Sequence, residues 1–221
     1  MDLKKFLAAL LIVASLLTAT NSFAAIKDWE TRIYNEDLQA YNKALALDPN
    51  DVATYNNRGV VYYRLGEYER AIQDFNKVIE LDPKSSSAYN NRGLVYHALG
   101  EYERAIQDFN KTLEIEPGDV WAYSNRALSY NGLGQYERAL QDFDKALEFN
   151  PDDALTYKNR GIVHADNKQY ERALQDFDKS IELNPYDAET YNHRGKVYQA
   201  LGDAAKAQTD FDKAKSLGYG C

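Results

Sequence analysis

The chain has 221 residues, 44% of them hydrophobic, and its 26 Lys and Arg stand against 34 Asp and Glu for a formal net charge of −8. That is the composition of a soluble globular protein. It excludes a nucleic-acid binder, because neutralising phosphates needs a basic face and no Lys/Arg cluster of that kind occurs.

Residues 1–24 differ from everything after them. Lys4 and Lys5 precede the apolar run FLAALLIVASLLTA at 6–19, and Ser22 and Ala24 place small residues at −3 and −1 of a signal peptidase site. The segment reads as a secretory signal peptide. The alternative is an uncleaved anchor at the membrane, although the run is short for a span of about 20 residues. Cleavage leaves a mature form without a membrane span, exported and, in a bacterium, periplasmic.

Residues 25–51 follow as an N-terminal segment. Within it DLQAYNKALALDPND (37–51) matches the second half of a unit that recurs later, so a helix is expected over 35–47, covering the first full unit with Trp29 and Ile33 packed there.

From there the chain is periodic. Pro49, Pro83, Pro117, Pro151 and Pro185 are spaced by 34 residues, which divides the rest into five units: 52–85, 86–119, 120–153, 154–187 and 188–221. Each holds Tyr at its fourth place (Tyr55, Tyr89, Tyr123, Tyr157, Tyr191) and Gly or Ala at its eighth (Gly59, Gly93, Ala127, Gly161, Gly195). Further on come Gly in four units (Gly66, Gly100, Gly134, Gly202), Ala (Ala71, Ala105, Ala139, Ala173, Ala207) and Phe (Phe75, Phe109, Phe143, Phe177, Phe211).

Apolar residues follow helical spacing twice in each unit, as in Tyr55, Gly59, Tyr62 and then Ala71, Phe75, Val78, Ile79. Gly closes the first helix and Pro the second. Each unit is therefore a helical hairpin, and its small residues allow the two helices to cross closely. The fourth unit departs, with His164 for Tyr and Asn167–Lys168 for Leu-Gly, which predicts a looser or bent joint.

Two charged series recur together: Arg58, Arg92, Arg126, Arg160 and Arg194 in the first helices, and Asp74, Asp108, Asp142, Asp176 and Asp210 in the second. An Arg on the half-buried side needs a carboxylate, because an unpaired buried charge costs several kcal/mol. Ion pairs within each unit or between neighbours are expected. The last unit holds Ala204, Gln208 and Lys215 where inner units hold Tyr, Ile or Leu, so it is read as its own cap.

Over 52–221 this pattern resembles the tetratricopeptide repeat family, by the period and by the Tyr, Gly, Ala, Phe and Pro places. The resemblance implies an all-α, right-handed superhelical solenoid of stacked antiparallel helix pairs, with the first helices lining a concave groove. It also implies binding of a protein or peptide.

Asn57 lies about 200° from Tyr55 around its helix, and in the family's geometry that direction is the groove. Asn57, Asn91, Asn125, Asn159 and His193 would form a row there, with Asn56 and Asn90 facing outward beside it. Similar Asn rows in the family contact peptide backbones, and a carboxamide can donate to C=O and accept from N–H. Leu94 and Leu128 share that face, as do Trp121 and Leu155, and Tyr63 and His97 flank it. Trp121 is either an apolar anchor for a ligand or core folded over the seam between units. The Lys and Arg places of the family's carboxylate clamp hold Asn56, Ser87, Trp121 and Asn125 instead, which argues against capture of a free C-terminal carboxylate that way.

His97, His164 and His193 show no metal-ligand spacing, and no phosphate loop or nucleophile elbow occurs. No cofactor or enzymatic activity is expected. The reading is an interaction module or adaptor. The alternatives are a self-assembling scaffold, joined through its repeats or through Cys221, and a regulatory subunit of an envelope enzyme. Cys221 is the chain's single Cys, so no internal disulfide can form.

Overall fold

The computed structural model describes residues 22–220, and among them eleven α-helices and no strand. Most of the signal segment, residues 1–21, and Cys221 lie outside the described residues. The helices fall into two compact segments, one ending at Leu81 and one beginning at Asp82. The first contains α1 (Ser22–Leu47), α2 (Val52–Arg64) and α3 (Tyr68–Leu81). The second contains α4 (Ser86–Ala98), α5 (Tyr102–Ile115), α6 (Val120–Gly132), α7 (Tyr136–Phe149), α8 (Ala154–Asp166), α9 (Tyr170–Leu183), α10 (Ala188–Ala200) and α11 (Ala204–Ser216).

The opening helix corrects an expectation. It is not confined to 35–47 but runs through Ser22–Leu47, because no Gly or Pro interrupts those residues. Ile33 is half-buried, whereas Trp29 is 40% exposed and is not packed as expected.

The hairpins follow from local chemistry. Asp51, Asp119, Asp153 and Asp187 cap the first helices α2, α6, α8 and α10 by accepting backbone N–H bonds from their first turns. Between the helices of a pair, Gly66, Gly100, Gly134 and Gly202 adopt φ between 69° and 81°, and this lets the next N–H turn back onto the helix just ended, as Glu67 N–H does onto the Tyr62 carbonyl. In the fourth repeat Lys168 takes the same role at φ 58°, and the bonds Lys168 N–H to Ala165 C=O and Gln169 N–H to His164 C=O close the same turn. The joint is therefore not looser. The geometry is kept, and a residue with a Cβ bears it.

Close crossing sets the core. A Cβ on Gly59, Gly93, Gly161 or Gly195 would stand 2.7–2.8 Å from the ring of the Phe sixteen residues on. Phe75, Phe109, Phe143 and Phe177 are fully buried against these glycines and, in the third repeat, against Ala127. In the second segment the core passes from repeat to repeat: Phe143 packs with Ile106 from the repeat before and Val163 from the one after. The Tyr side chains of the predicted buried stripe are only half-buried in Tyr55 and Tyr62, because the Arg58 guanidinium lies over both rings at 5.4 and 5.8 Å. At the C-terminal end Ala204, Gln208 and Lys215 are all exposed.

Candidate functional site

Two sets of recurring side chains sit on the first helices, and they do different work. One set fastens the array. In every repeat the Arg Nε and Nη2 bond the two oxygens of the Asp sixteen residues later, from Arg58–Asp74 to Arg194–Asp210, at 2.6–2.9 Å. The Asp side chains are almost fully buried, so the fork-shaped pairing compensates a charge that could not stand alone.

The third donor, Nη1, reaches back to the preceding second helix or its equivalent. It meets Asn42 from Arg58, Asn110 from Arg126, Asp144 from Arg160 and Asp178 from Arg194. This acceptor series was not legible as such, since an Asn or Asp on an exposed helix place reads as solvation.

The other set faces the opposite way. In the second segment the backbones of α4, α6, α8 and α10 approach one another in series, while among the described residues those of successive second helices stand farther apart. The first-helix side is therefore the tighter, inner side of that stack. On it Trp121 is 65% exposed and Leu155, at the same place one repeat on, is 43% exposed. Of the two readings of Trp121, core over the seam is overturned. Leu128 is half-buried and packs against the core, and Leu94 is half-buried as well.

The carboxamide row is less open than the helical angle suggested. Asn91, Asn125, Asn159 and His193 are half-buried. Asn125 Nδ2 donates to Asn90 Oδ1 at 3.3 Å, and His193 stacks on Phe177 with ring centroids 6.1 Å apart. In the first segment Asn57 is exposed, Asn56 is half-buried, and Tyr63 packs beside Tyr68 at 5.9 Å. The outward direction assigned to both Asn letters is thus corrected for Asn56 and Asn90, and the equivalent Asn192 is buried with its Nδ2 on the Tyr219 hydroxyl.

Further side chains bridge successive first helices. His97 Nδ1 lies 3.0 Å from Ser129 Oγ, and burial lowers the His97 pKa. Asn131 Nδ2 donates to Asp166 at 3.0 Å. Lys158, buried in α8, meets Glu189 at 2.6 Å and Asp187 at 3.2 Å. Burial alone would pull its ammonium pKa down, but the bonds to the two carboxylates outweigh that and hold it above the usual value.

Between α8 and α10 lies a cleft of about 300 Å³ with an apolar floor of Ile162, Ala165, Tyr170 and Val197, and His193 and Lys196 at its edge. Among the described residues no group of three His, Cys, Asp or Glu could hold a metal, and no helix is long and apolar enough to cross a membrane.

A stack of helix pairs fastened on one side and offering exposed apolar and half-buried amide side chains on the other defines a helical-hairpin repeat protein suited to protein–protein interaction or scaffolding. The chain belongs to the tetratricopeptide repeat family. Models described as TPR repeat match residues 34–66 and 61–100, and models described as tetratricopeptide repeat match 86–119, 120–153, 154–187 and 177–209. Proteins of this family are generally non-enzymatic interaction modules. No curated protein sequence matches the chain.

Solved structures agree on the fold. A tetratricopeptide repeat protein from Parabacteroides merdae is 28% identical with a TM-score of 0.72, over 94% of this chain and 83% of that one. YrrB, described as a TPR protein with an unusual peptide-binding site, is 26% identical with a TM-score of 0.62, over 82% of this chain and 93% of that one. PilF of Pseudomonas aeruginosa, 22% identical over 76% of each chain with a TM-score of 0.69, shares the fold.

Proposed function

We propose that the protein is an exported, non-enzymatic adaptor that binds an extended peptide or a partner's helix along the first-helix face of residues 82–221. The observation that carries this is the pair Trp121 and Leu155, two large apolar side chains left in water at the same place of consecutive repeats. Large apolar groups exposed in register mark an interaction surface, and Trp is favoured where binding energy concentrates. The cleft between α8 and α10, lined by Ile162 and Val197, offers room for one apolar side chain of a ligand. Asn125 and Asn159 supply amides for backbone capture, and the likeness to YrrB supports a peptide as ligand. Export rests on the leader at residues 1–24, and the compartment that fits it in a bacterium is the periplasm.

The test is a displayed library of random peptides selected on residues 25–221, with recovered peptides titrated against wild type, Trp121→Ala/Leu155→Ala and Asn125→Ala/Asn159→Ala. Loss of about tenfold or more in affinity in the first variant supports the face, since truncating an anchor costs over 1 kcal/mol. Unchanged affinity in both variants removes the proposal.

A further inference from the structure

On the side of α6 turned away from Trp121 lies a second, polar cavity of about 250 Å³. It is lined by Asn110 of α5, Arg126 and Tyr130 of α6, and Arg138, Gln141 and Asp142 of α7. Tyr130 is nine residues from Trp121, half a helical turn around by the ~100° step, so this cavity is independent of the peptide face.

Its hydrogen-bonding groups are unevenly spent. Both Asp142 oxygens already accept from Arg126, at 2.7 Å each, and Asn110 Oδ1 accepts from Arg126 Nη1 at 2.6 Å. What Asn110 has left is its NH₂. The Tyr130 oxygen accepts from Arg138 Nη2 at 2.7 Å, which leaves the phenol proton to donate. Arg138 gives its other bond to Gln135 Oε1 at 2.9 Å and keeps the remaining N–H groups of its fork. The acceptors of Asp142, Asn110 and Tyr130 are engaged, so what those residues and Arg138 have left to offer is donors, and Gln141 adds an amide with one carbonyl and one NH₂.

Charge points the same way. In the second repeat Arg104 makes the same two bonds, to the Tyr96 hydroxyl and to the residue three before it, but that residue is Glu101 and forms an ion pair. In the third repeat the carboxylate is replaced by the Gln135 amide, so Arg138 keeps its bond and loses its counter-charge. In the fourth repeat Asp144 stands where Asn110 does and His164 where Tyr130 does, and in the fifth Lys206 is paired with Asp203. The third repeat alone among these combines two guanidinium groups, one already engaged carboxylate and surplus donors.

We infer that this cavity is an oxyanion site, taking a phosphate- or carboxylate-sized group on Arg138 with Tyr130 O–H and the Asn110 and Gln141 amides around it. Arg126 is the fixed wall, since its fork is filled by Asp142 and Asn110. Arg138 is the ligand-bearing cation, because its partners are neutral and charge-assisted bonds to an oxyanion are stronger than the ones it makes now.

The test is titration of residues 25–221 with inorganic phosphate against sodium chloride at matched ionic strength, followed by the NMR signals of the Arg138 Nε–H and the Gln141 and Asn110 side-chain amides. A saturable shift confined to those signals is expected. Arg138→Gln and Gln135→Glu should each weaken it by about tenfold or more, the second by restoring the ion pair found in the second repeat. Arg172→Gln, the equivalent change in the fourth repeat, should leave it intact. A second arm uses a short glutamate peptide on the same signals. Tighter binding than phosphate assigns the oxyanion to a partner's acidic side chain, and weaker binding assigns it to a free ion. No saturable shift with either probe, or equal binding by wild type and Gln135→Glu of unchanged melting temperature, overturns the site.

Discussion

Arg160 closes on Asp176 through two parallel hydrogen bonds, Nε to Oδ2 at 2.9 Å and Nη2 to Oδ1 at 2.6 Å, and with its third donor holds Asp144 of the repeat before at 2.6 Å. One side chain thus joins the helices of its own pair and the pair behind it. The two acceptors differ in burial: Asp176 is almost wholly enclosed and Asp144 is mostly in solvent.

That difference sets the first prediction. Asp176→Ala leaves a guanidinium enclosed without its partner and should cost about 3 kcal/mol or more. Asp144→Ala removes a largely exposed partner and should cost under about 1 kcal/mol. Urea unfolding of both variants checks the order. Equal losses would mean that burial does not decide the worth of the pair.

Lys168 carries the second prediction. It holds φ 58° where the other four repeats have Gly, so its side chain bears the left-handed strain of about 1 kcal/mol that Gly avoids. Lys168→Gly should raise stability by about 0.5–1 kcal/mol, and Gly134→Ala, at φ 69°, should lower it by a similar amount. Nothing within 4 Å would meet a Cβ at Gly134, so the second change reads backbone strain alone.

Acidification is the third. Burial lowers the pKa of His97, His164 and His193 below the ordinary value, so the folded protein keeps them neutral where the unfolded chain has begun to protonate. The unfolded state then binds more protons, and stability is full above about pH 6.5 and falls as pH drops from there toward the lowered folded values. His164 faces Gln169 at 2.8 Å and Asp176 at 3.7 Å, with Arg160 and Arg172 also acting on it. His164→Tyr, the residue at this place in the other repeats, should flatten the decline of the melting temperature between pH 7.5 and 5.5. A variant with the wild-type slope would show that His164 is not among the groups responsible.

Much of this was legible in the sequence because a 34-residue period fixes helix, turn and core at once. Gly59 and Ala71 could be read as the close crossing of a pair since both recur, and Arg58 and Asp74 as partners for the same reason. What stayed hidden depends on how one repeat is set against the next. Asn110 and Asp178 accept from the following Arg only by the offset between hairpins, and Lys158 finds Glu189 across 31 residues with no recurring counterpart. The half-burial of Asn125 has the same origin, because a helical angle measured within α6 does not register the neighbour carrying Asn90. The length of α1 was missed because the period ends before it, leaving helix propensity without a repeat to read it against.

The C-terminal cap gives the last prediction. Ala204, Gln208 and Lys215 are exposed at places where α9 carries Tyr170, Leu174 and Ile181, all half-buried, the first two against the cluster that includes Val197 of the next repeat. If the last repeat is its own cap, this trio is what removes the apolar surface on which a further repeat would sit. Ala204→Tyr/Gln208→Leu/Lys215→Ile restores it without touching the Arg194–Asp210 pair that holds α10 to α11. An end face of stacked repeats left apolar must be covered, and the available cover is another copy of the chain. Light scattering of residues 25–220, which lack Cys221, should show concentration-dependent association for the triple variant and less for wild type. Equal masses for the two at every concentration would mean that these three side chains do not act as the cap.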